Sequence, residues 1–130
     1  MRRSSLRLFN ILFNLQLVNS LLQKIRYYIK EASWIARIAA WKLNCTKVAI
    51  VMGNTIHLYN TNRQEFLANT PWHLHELKHI EQFRRYGFTR FIFLYLWESI
   101  RYGYTQNKYE REARAAEKEE QLLEITQLQK

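Results

Sequence analysis

The sequence predicts a small, mainly helical α+β domain, and three observations support this fold class. The 130 residues include only three glycines and one proline, so the chain has few turn signals and room for long helices. All eleven acidic residues are glutamate, which forms helices better than aspartate does. Hydrophobic residues make up 48% of the chain, enough for one core, and the length suits a single domain over residues 1–130.

Three segments are expected within this domain. Residues 1–43 form N-terminal helices, residues 44–117 form the core, and residues 118–130 form a charged C-terminal helix or tail. The first helix extends from Leu6 to Ile29, where large apolar residues recur at helical spacing between basic ends. Residues 6–29 either pack on the domain itself or contact a membrane surface or a partner.

A second helix is predicted from Ala32 or Ser33 to about Leu43. Its apolar face is expected to hold the following residues: Trp34, Ile35, Ile38 and Trp41.

A β-hairpin follows, and it is the one region with a convincing strand pattern. Two β-type runs, residues 48–52 and residues 55–59, flank Gly53-Asn54. Both linking residues tolerate positive φ, as a two-residue hairpin turn requires.

Three more helices complete the prediction. Pro71 starts the first of them and Gly87 ends it, while Gly103 ends the second and Asn107 caps the third. Their expected ranges are about 71–86, 89–101 and 107 into the C-terminus.

The chain is basic, with 20 Lys and Arg residues against 11 acids and a formal charge of +9. A basic surface attracts nucleic acid or anionic lipid, but a solvated surface is the commoner outcome. We therefore expect no specific nucleic-acid partner. One hypothesis that remains is a basic adaptor that binds nucleic acid or a membrane surface and in which the pattern of histidines described below has no function. It predicts that binding depends steeply on salt concentration and that the purified protein contains no zinc.

Cys45 is the only cysteine, which excludes an internal disulfide and a thiolate metal cluster. Arg7, Asn10, Asn14 and Gln16 interrupt the apolar core that a signal peptide needs. No apolar run reaches the ~18 residues that span a bilayer. These observations favour a cytoplasmic protein and leave membrane-peripheral contact through residues 6–29 open.

The pattern that carries chemistry is His75-Glu76-Leu77-Lys78-His79. Residues four apart share one face of a helix, so His75 and His79 can converge on one zinc ion. Glu76 lies about 100° further round the helix, too far to be a ligand but within reach of a water on the metal. Zinc lowers the pKa of such a water, and a carboxylate can then take its proton.

Zinc needs a third protein ligand. The remaining histidines are poor choices, because His57 lies in the second strand and His73 points about 200° away from His75 round the helix. A glutamate from a later helix is the better choice, and the segment around residues 104–114 offers Glu110 and Glu112.

With that glutamate, the His-Glu-x-x-His pattern resembles the gluzincin class of zinc metallopeptidases. The stretch from about Ala49 to Glu117 is more closely similar to small, uncharacterised bacterial zincin-like proteins. The matching residues are Gly53, Thr55, Ile56, His75, Glu76, His79, Gln82, Asn107, Glu110, Glu112 and Ala113.

This resemblance implies a zincin-like core over residues 44–117, one Zn²⁺ and a peptide or protein substrate. It favours Glu110 as the third ligand, because Ala113 completes a Glu-x-x-Ala pattern seen in several gluzincins. The alternative is that Glu110 forms a capping box with Asn107 and that Glu112 is the ligand.

The acidic residue that often follows the gluzincin ligand glutamate by four positions is missing. Arg114 takes that place if Glu110 is the ligand, and Ala116 does if Glu112 is. Support for a ligand histidine must then come from elsewhere in the chain or be weak, which bears on catalytic activity more than on metal binding.

Two further roles are expected near the site. The strand at residues 55–59 either binds substrate in extended form or is a packed hairpin strand. The candidate oxyanion donors are Tyr102, Tyr104 and Tyr109.

The predicted function is therefore hydrolysis of peptide bonds by metal-activated water, with Glu76 as the catalytic base and His75, His79 and Glu110 as the metal ligands. The alternative is a zincin-like module that binds zinc but has weak or no catalytic activity, and that acts as a structural or interaction protein.

Overall fold

A computed structural model of the protein describes the backbone of residues 2–130 and the side chains of residues 4–19 and 23–130. It confirms a small α+β fold. The helices found in this range are α1 (Arg2–Leu22), α2 (Trp34–Leu43), α3 (Arg63–Ala68), α4 (Thr70–Tyr86), α5 (Phe88–Tyr102), α6 (Lys108–Ala116) and α7 (Gln121–Ile125). The strands are β1 (Ile25–Lys30), β2 (Val48–Met52), β3 (Thr55–Tyr59) and β4 (Thr126–Leu128).

The four strands form one mixed sheet in the order β2-β3-β1-β4. β2 and β3 pair in antiparallel orientation, which confirms the predicted hairpin. Gly53 has φ +68° in the turn, so a residue free to adopt positive φ is needed there. β1 pairs in parallel with β3 on one side and with β4 on the other. β2 is thus an edge strand, whereas β3 lies inside the sheet.

β1 corrects the prediction of one helix from Leu6 to Ile29. The helix ends at Leu22, and the chain then enters the sheet. Along β1 the side chains alternate, with Tyr27 and Ile29 buried and their neighbours exposed. Burial of that alternating face between two parallel partner strands outweighs the helical spacing of the apolar residues.

The C-terminal region also differs from the single charged helix that was expected. α6 ends at Ala116, the short α7 follows, and residues 126–128 form β4 beside β1. Leu122 is buried and packs in the main core, which anchors this returning segment.

The middle of the chain follows the prediction closely. α4 ends at Gly87, α5 ends at Gly103, and the Asn107 side chain caps α6 by accepting a hydrogen bond from the backbone N–H of Tyr109. The short helix α3, capped by Asn62, was not predicted.

Two cores lie on opposite faces of the sheet. The larger one joins α4 to one face through Leu74, Leu77 and Ile80, which pack with residues such as Ile56 and Leu58. On the other face, α2 packs through Ala36 and Ala40 against Val48. The face predicted for α2 is therefore wrong.

The large apolar residues of α2 point outward, with Trp34 66% and Trp41 84% exposed. Small alanines allow the helix to approach the sheet closely, which the bulky residues would prevent.

No described side chain of α1 belongs to either core. Every side chain described for it, at positions 4–19, is exposed. The side chains of Leu21 and Leu22, which belong to the predicted apolar stripe, lie outside the described residues. No helix within the described range is long and apolar enough to cross a membrane.

Candidate metal centre

Helix α4 brings His75 and His79 together on one face, as their spacing predicts. The centroids of the two imidazole rings lie 5.1 Å apart, with 72° between the ring planes. Leu74 and Leu77, on the opposite side of the helix, are fully buried in the main core. This packing fixes the rotation of α4 and aims both histidines at α6.

Glu110, on the first turn of α6, completes the group. Its Oε2 atom lies 3.2 Å from Nε2 of His75, and its Oε1 atom lies 3.2 Å from Nε2 of His79. One ligand atom from each of the three residues falls within 4.8 Å of the others. The Asn107 cap sets the start of α6 and thereby the direction of this carboxylate.

Gln82 fixes the tautomer of His79. Its Nε2 atom donates to the backbone carbonyl of Tyr109 at 3.2 Å and to Glu112 at 2.9 Å, so its oxygen must face His79. Because Nδ1 of His79 lies 2.9 Å from that oxygen, Nδ1 carries the proton and donates. In the neutral ring, Nε2 therefore directs a lone pair toward Glu110.

Glu117 fixes the tautomer of His75 in a similar way. Its Oε1 atom lies 2.9 Å from Nδ1 of His75, and a carboxylate can only accept, so Nδ1 is the donor. A carboxylate on the outer nitrogen of a histidine is the usual support of a metal ligand. Glu117 supplies the support that was missing at Arg114 and Ala116.

Tyr95, from α5, also contacts Glu110. Its hydroxyl donates to Oε1 of Glu110 at 2.6 Å. Asn107 donates to the backbone carbonyl of Tyr95 at 3.0 Å and to Ser99 Oγ at 2.8 Å, which ties α5 to the start of α6. Three helices thus contribute to the position of a single carboxylate.

The pKa values of the group reflect the convergence of two imidazoles on one carboxylate. Burial acts to lower the pKa of His75, but hydrogen bonds to Glu110 and Glu117 and the charge of Glu76 raise it to about 9. The pKa of His79 is raised in the same way against burial. Burial acts to raise the pKa of Glu110, yet its bonds to both histidines hold it well below its ordinary range.

The donor set suits a divalent cation. Both Nε2 atoms face the Glu110 carboxylate, and a cation that bound between them would displace any proton they carry. Two imidazole nitrogens and one carboxylate oxygen form a ligand set found in catalytic zinc sites. His75, His79 and Glu110 are therefore able to hold a metal ion.

Glu76 lies beside the ligands without joining them. The residue is 5% exposed, and burial raises the pKa of its carboxyl to about 7, although the charges of His79 and His75 oppose the rise. A carboxyl group with a pKa near neutrality is suited to accept and then donate a proton.

A cavity of about 280 Å³ opens onto this group and is lined by Glu76, both histidines and Glu110. Its other walls are apolar residues of β2 and α5. β2, at residues 48–52, is the edge strand beside the cavity. Of the two roles considered for residues 55–59, the packed hairpin strand fits the structure, because β3 pairs with β2 along its length and with β1 at residues 55–57.

The alternative ligand Glu112 does not reach the group, since its carboxylate accepts the hydrogen bond from Gln82. His57 and His73 also lie outside it. His57 Nδ1 is 2.8 Å from Ser33 Oγ, and His73 Nε2 is 2.9 Å from the Tyr27 hydroxyl. Burial lowers the pKa of both histidines.

The three candidate oxyanion donors occupy different places. Tyr104 is 50% exposed but lines the cavity, and desolvation on that side together with the Glu110 carboxylate raises the pKa of its hydroxyl. Tyr109 is 2% exposed and packs against Phe91, while Tyr102 is 53% exposed.

Two residues of the site were missed by sequence reasoning. Glu117 had a usable signal, because it follows Glu110 by seven residues and therefore lies two helical turns along the same face. Tyr95 had none, since its contact with Glu110 depends on how α5 packs beside α6.

No protein-family model, no curated protein and no solved structure gives a significant match to this chain.

Proposed function

We propose that this chain is a zinc-dependent metallopeptidase that hydrolyses peptide bonds. One observation carries the proposal: one ligand atom each of His75, His79 and Glu110 lies within 4.8 Å of the other two, beside a cavity that Glu76 also lines. When bound, zinc supplies Lewis acidity that makes water a nucleophile near neutral pH.

Glu76 is assigned the proton transfers. Its carboxylate is assigned to accept a proton from the attacking water and to deliver it to the leaving amine. In the metal-free fold, burial already raises the pKa of this carboxyl to about 7, which favours proton uptake. Tyr104, at the cavity wall, is the best placed of the candidate donors to the developing oxyanion.

The edge strand β2 is assigned the binding of substrate. An extended peptide can pair with the edge of a sheet through its backbone, and the apolar side chains that line the cavity favour apolar substrate residues. The expected substrates are therefore unfolded or extended segments of peptides and proteins.

The test is carried out on the full chain purified in metal-free buffer and then loaded with zinc. The probe is unfolded casein, and new peptide ends are read by mass spectrometry. Glu76→Gln should keep its zinc and lose at least about 100-fold in turnover. Glu81→Gln, on the same helix but paired with Lys78 and Arg85, is the matched control and should keep both.

A chain that binds no zinc, or a Glu76→Gln variant that cleaves as fast as the parent, would contradict the peptidase proposal. Zinc binding with no cleavage by the parent chain would instead support the alternative, a zinc-binding module without peptidase activity. The hydrogen bond between Glu117 and His75 removes one argument for that alternative, namely the lack of an acidic partner for a ligand histidine.

A further inference from the structure

Helix α1 has an unusually broad apolar surface that no other element covers among the described side chains. From residue 4 to residue 19 all side chains are exposed. The large apolar ones include Phe9, which is 65% exposed, and Leu12, which is 64% exposed. An exposed apolar surface of this size marks a site of interaction.

The polar residues of α1 form a narrow stripe between Leu6 and Leu15. At about 100° per residue, Arg7, Asn10 and Asn14 fall within an arc of roughly 60°. The apolar residues of the same stretch cover an arc of about 220°, far wider than the roughly 100° stripe of a helix that packs on one partner. Further along the helix, Gln16 and Asn19 fall within this arc, so the broad apolar surface belongs to residues 6–15. A lipid membrane, which can contact a wide arc of the helix at once, fits this surface better than a groove on a single protein does.

The charge around α1 has one sign. The first 30 residues contain six basic residues and no acid. Lys24 and Arg26, directly after the helix, line a second cavity of about 380 Å³ together with Asn54 and with Arg84 of α4. All three basic residues are exposed. This cluster is complementary to anionic groups, such as the phosphates of lipid headgroups.

We propose that α1 docks on the surface of an anionic lipid membrane. The helix lies parallel to the surface, with the stripe of Arg7, Asn10 and Asn14 toward water and the apolar arc in the acyl boundary. Lys24 and Arg26 then contact headgroup phosphates at the end of the helix. The proposal does not depend on the metal centre, which none of these residues touches.

The test measures sedimentation of the full chain with vesicles of phosphatidylcholine, alone or with roughly one third phosphatidylglycerol. The double variant Phe9→Gln/Leu12→Gln removes apolar surface without a change of charge. It should lower partitioning to the anionic vesicles by at least about 100-fold. The matched control Asn10→Gln/Asn14→Gln places the same residues on the polar stripe and should bind within about twofold of the parent.

A second pair of variants tests the basic cluster. Lys24→Gln/Arg26→Gln should weaken binding to the anionic vesicles by about fivefold per charge. Arg111→Gln/Lys118→Gln removes the same charge from an exposed, glutamate-rich segment. It should lower the logarithm of the partition coefficient by less than half as much as Lys24→Gln/Arg26→Gln does.

Three results would overturn the proposal. The parent chain does not bind anionic vesicles, it binds both kinds of vesicle equally, or Phe9→Gln/Leu12→Gln and Asn10→Gln/Asn14→Gln lose the same amount of vesicle binding. Sedimentation velocity without lipid gives the remaining outcome. Oligomers that disappear in Phe9→Gln/Leu12→Gln, with no vesicle binding, would assign the apolar surface to a second copy of the chain and overturn the lipid assignment. Zinc content, measured in every variant, keeps this test separate from the proposed function.

Discussion

The Nδ1 atom of His75 lies 2.9 Å from a carboxylate oxygen of Glu117, on the side of the ring opposite Glu110. This contact orients the ring and makes its inner nitrogen a stronger electron donor. It joins α4 to the residue that follows α6, so the direction of a candidate ligand depends on the last turn of another helix.

Removing this contact should weaken metal binding. Glu117→Gln keeps the size of the side chain but takes away the charge that holds the Nδ1 proton. We expect a 10- to 100-fold loss of zinc affinity, on the order usual for such partners. Competition with a chromophoric chelator measures it. Glu119→Gln, exposed and two residues away, is the control, and equal affinities in the two variants would contradict the role of Glu117.

Gln82 should affect both metal binding and stability. Gln82→Leu leaves Nδ1 of His79 and the carbonyl of Tyr109 without their buried partner, which costs about 1–3 kcal/mol in the free energy of unfolding. Zinc affinity should fall as well, because the His79 ring is no longer held. Urea unfolding of the metal-free chain checks the first effect. The exposed Gln121→Leu should leave both quantities unchanged, and a matching loss there would show that the effect is not specific.

The choice between the two glutamates of α6 can be tested directly. Glu110→Gln removes the charged ligand and should abolish stoichiometric zinc, whereas Glu112→Gln should retain it. Elemental analysis of the dialysed proteins gives the result. Full zinc occupancy in Glu110→Gln would show that the ligand set is wrong.

Zinc affinity should rise with pH. The pKa of His75, about 9 in the metal-free fold, lies above its ordinary value of about 6.5, and zinc must displace that proton. Affinity should therefore rise about tenfold per pH unit for each displaced proton up to about pH 9. Calorimetry in buffers of different ionisation enthalpy counts the released protons, and an affinity that is flat between pH 6.5 and 9 would contradict this.

The stability of the metal-free chain should change in the opposite direction. A folded-state pKa above the unfolded value stabilises the fold fully below about pH 6.5, and this stabilisation is lost as the pH rises through about 9. Thermal unfolding at the two pH values measures the loss. Glu117→Gln removes one cause of the raised pKa of His75 and should therefore lose less stability between the two pH values. An equal loss of stability in this variant and the parent would contradict the prediction.

Tyr27 links β1 to the helix that carries the site. Tyr27→Phe leaves Nε2 of His73 without its partner and should cost about 1–3 kcal/mol in unfolding free energy. Tyr28→Phe, on the opposite, exposed face of the same strand, should stay within about 0.5 kcal/mol of the parent. Urea unfolding compares the two, and equal losses would exclude a specific role for the Tyr27–His73 bond.

Much of the site was predictable because its spacing is local. His75 and His79 share a face on any regular helix, and Asn107 marks the start of the helix that carries Glu110. Glu117 was within reach of the same periodicity. Tyr95 was not, because its hydroxyl meets Glu110 only through the packing of α5 against its neighbours.

The fold was less predictable where distant partners decide the structure. Ile25 and Ile29 continue the helical spacing of α1, but Tyr27 and Ile29 also fit the two-residue alternation of a strand. Pairing with β3 and β4, which no local pattern reveals, selects the strand. Ala36 and Ala40 illustrate a second limit, since shape rather than hydropathy chose the buried face of α2.

The parallel pairing of Ile25 with Thr126 joins residues about a hundred positions apart in the chain. During synthesis, β1 leaves the ribosome long before its outer partner exists, and that edge of the strand remains open meanwhile. Completion of the sheet is therefore expected to be a late step in folding. A chaperone that covers this open edge of β1 should raise the yield of folded protein.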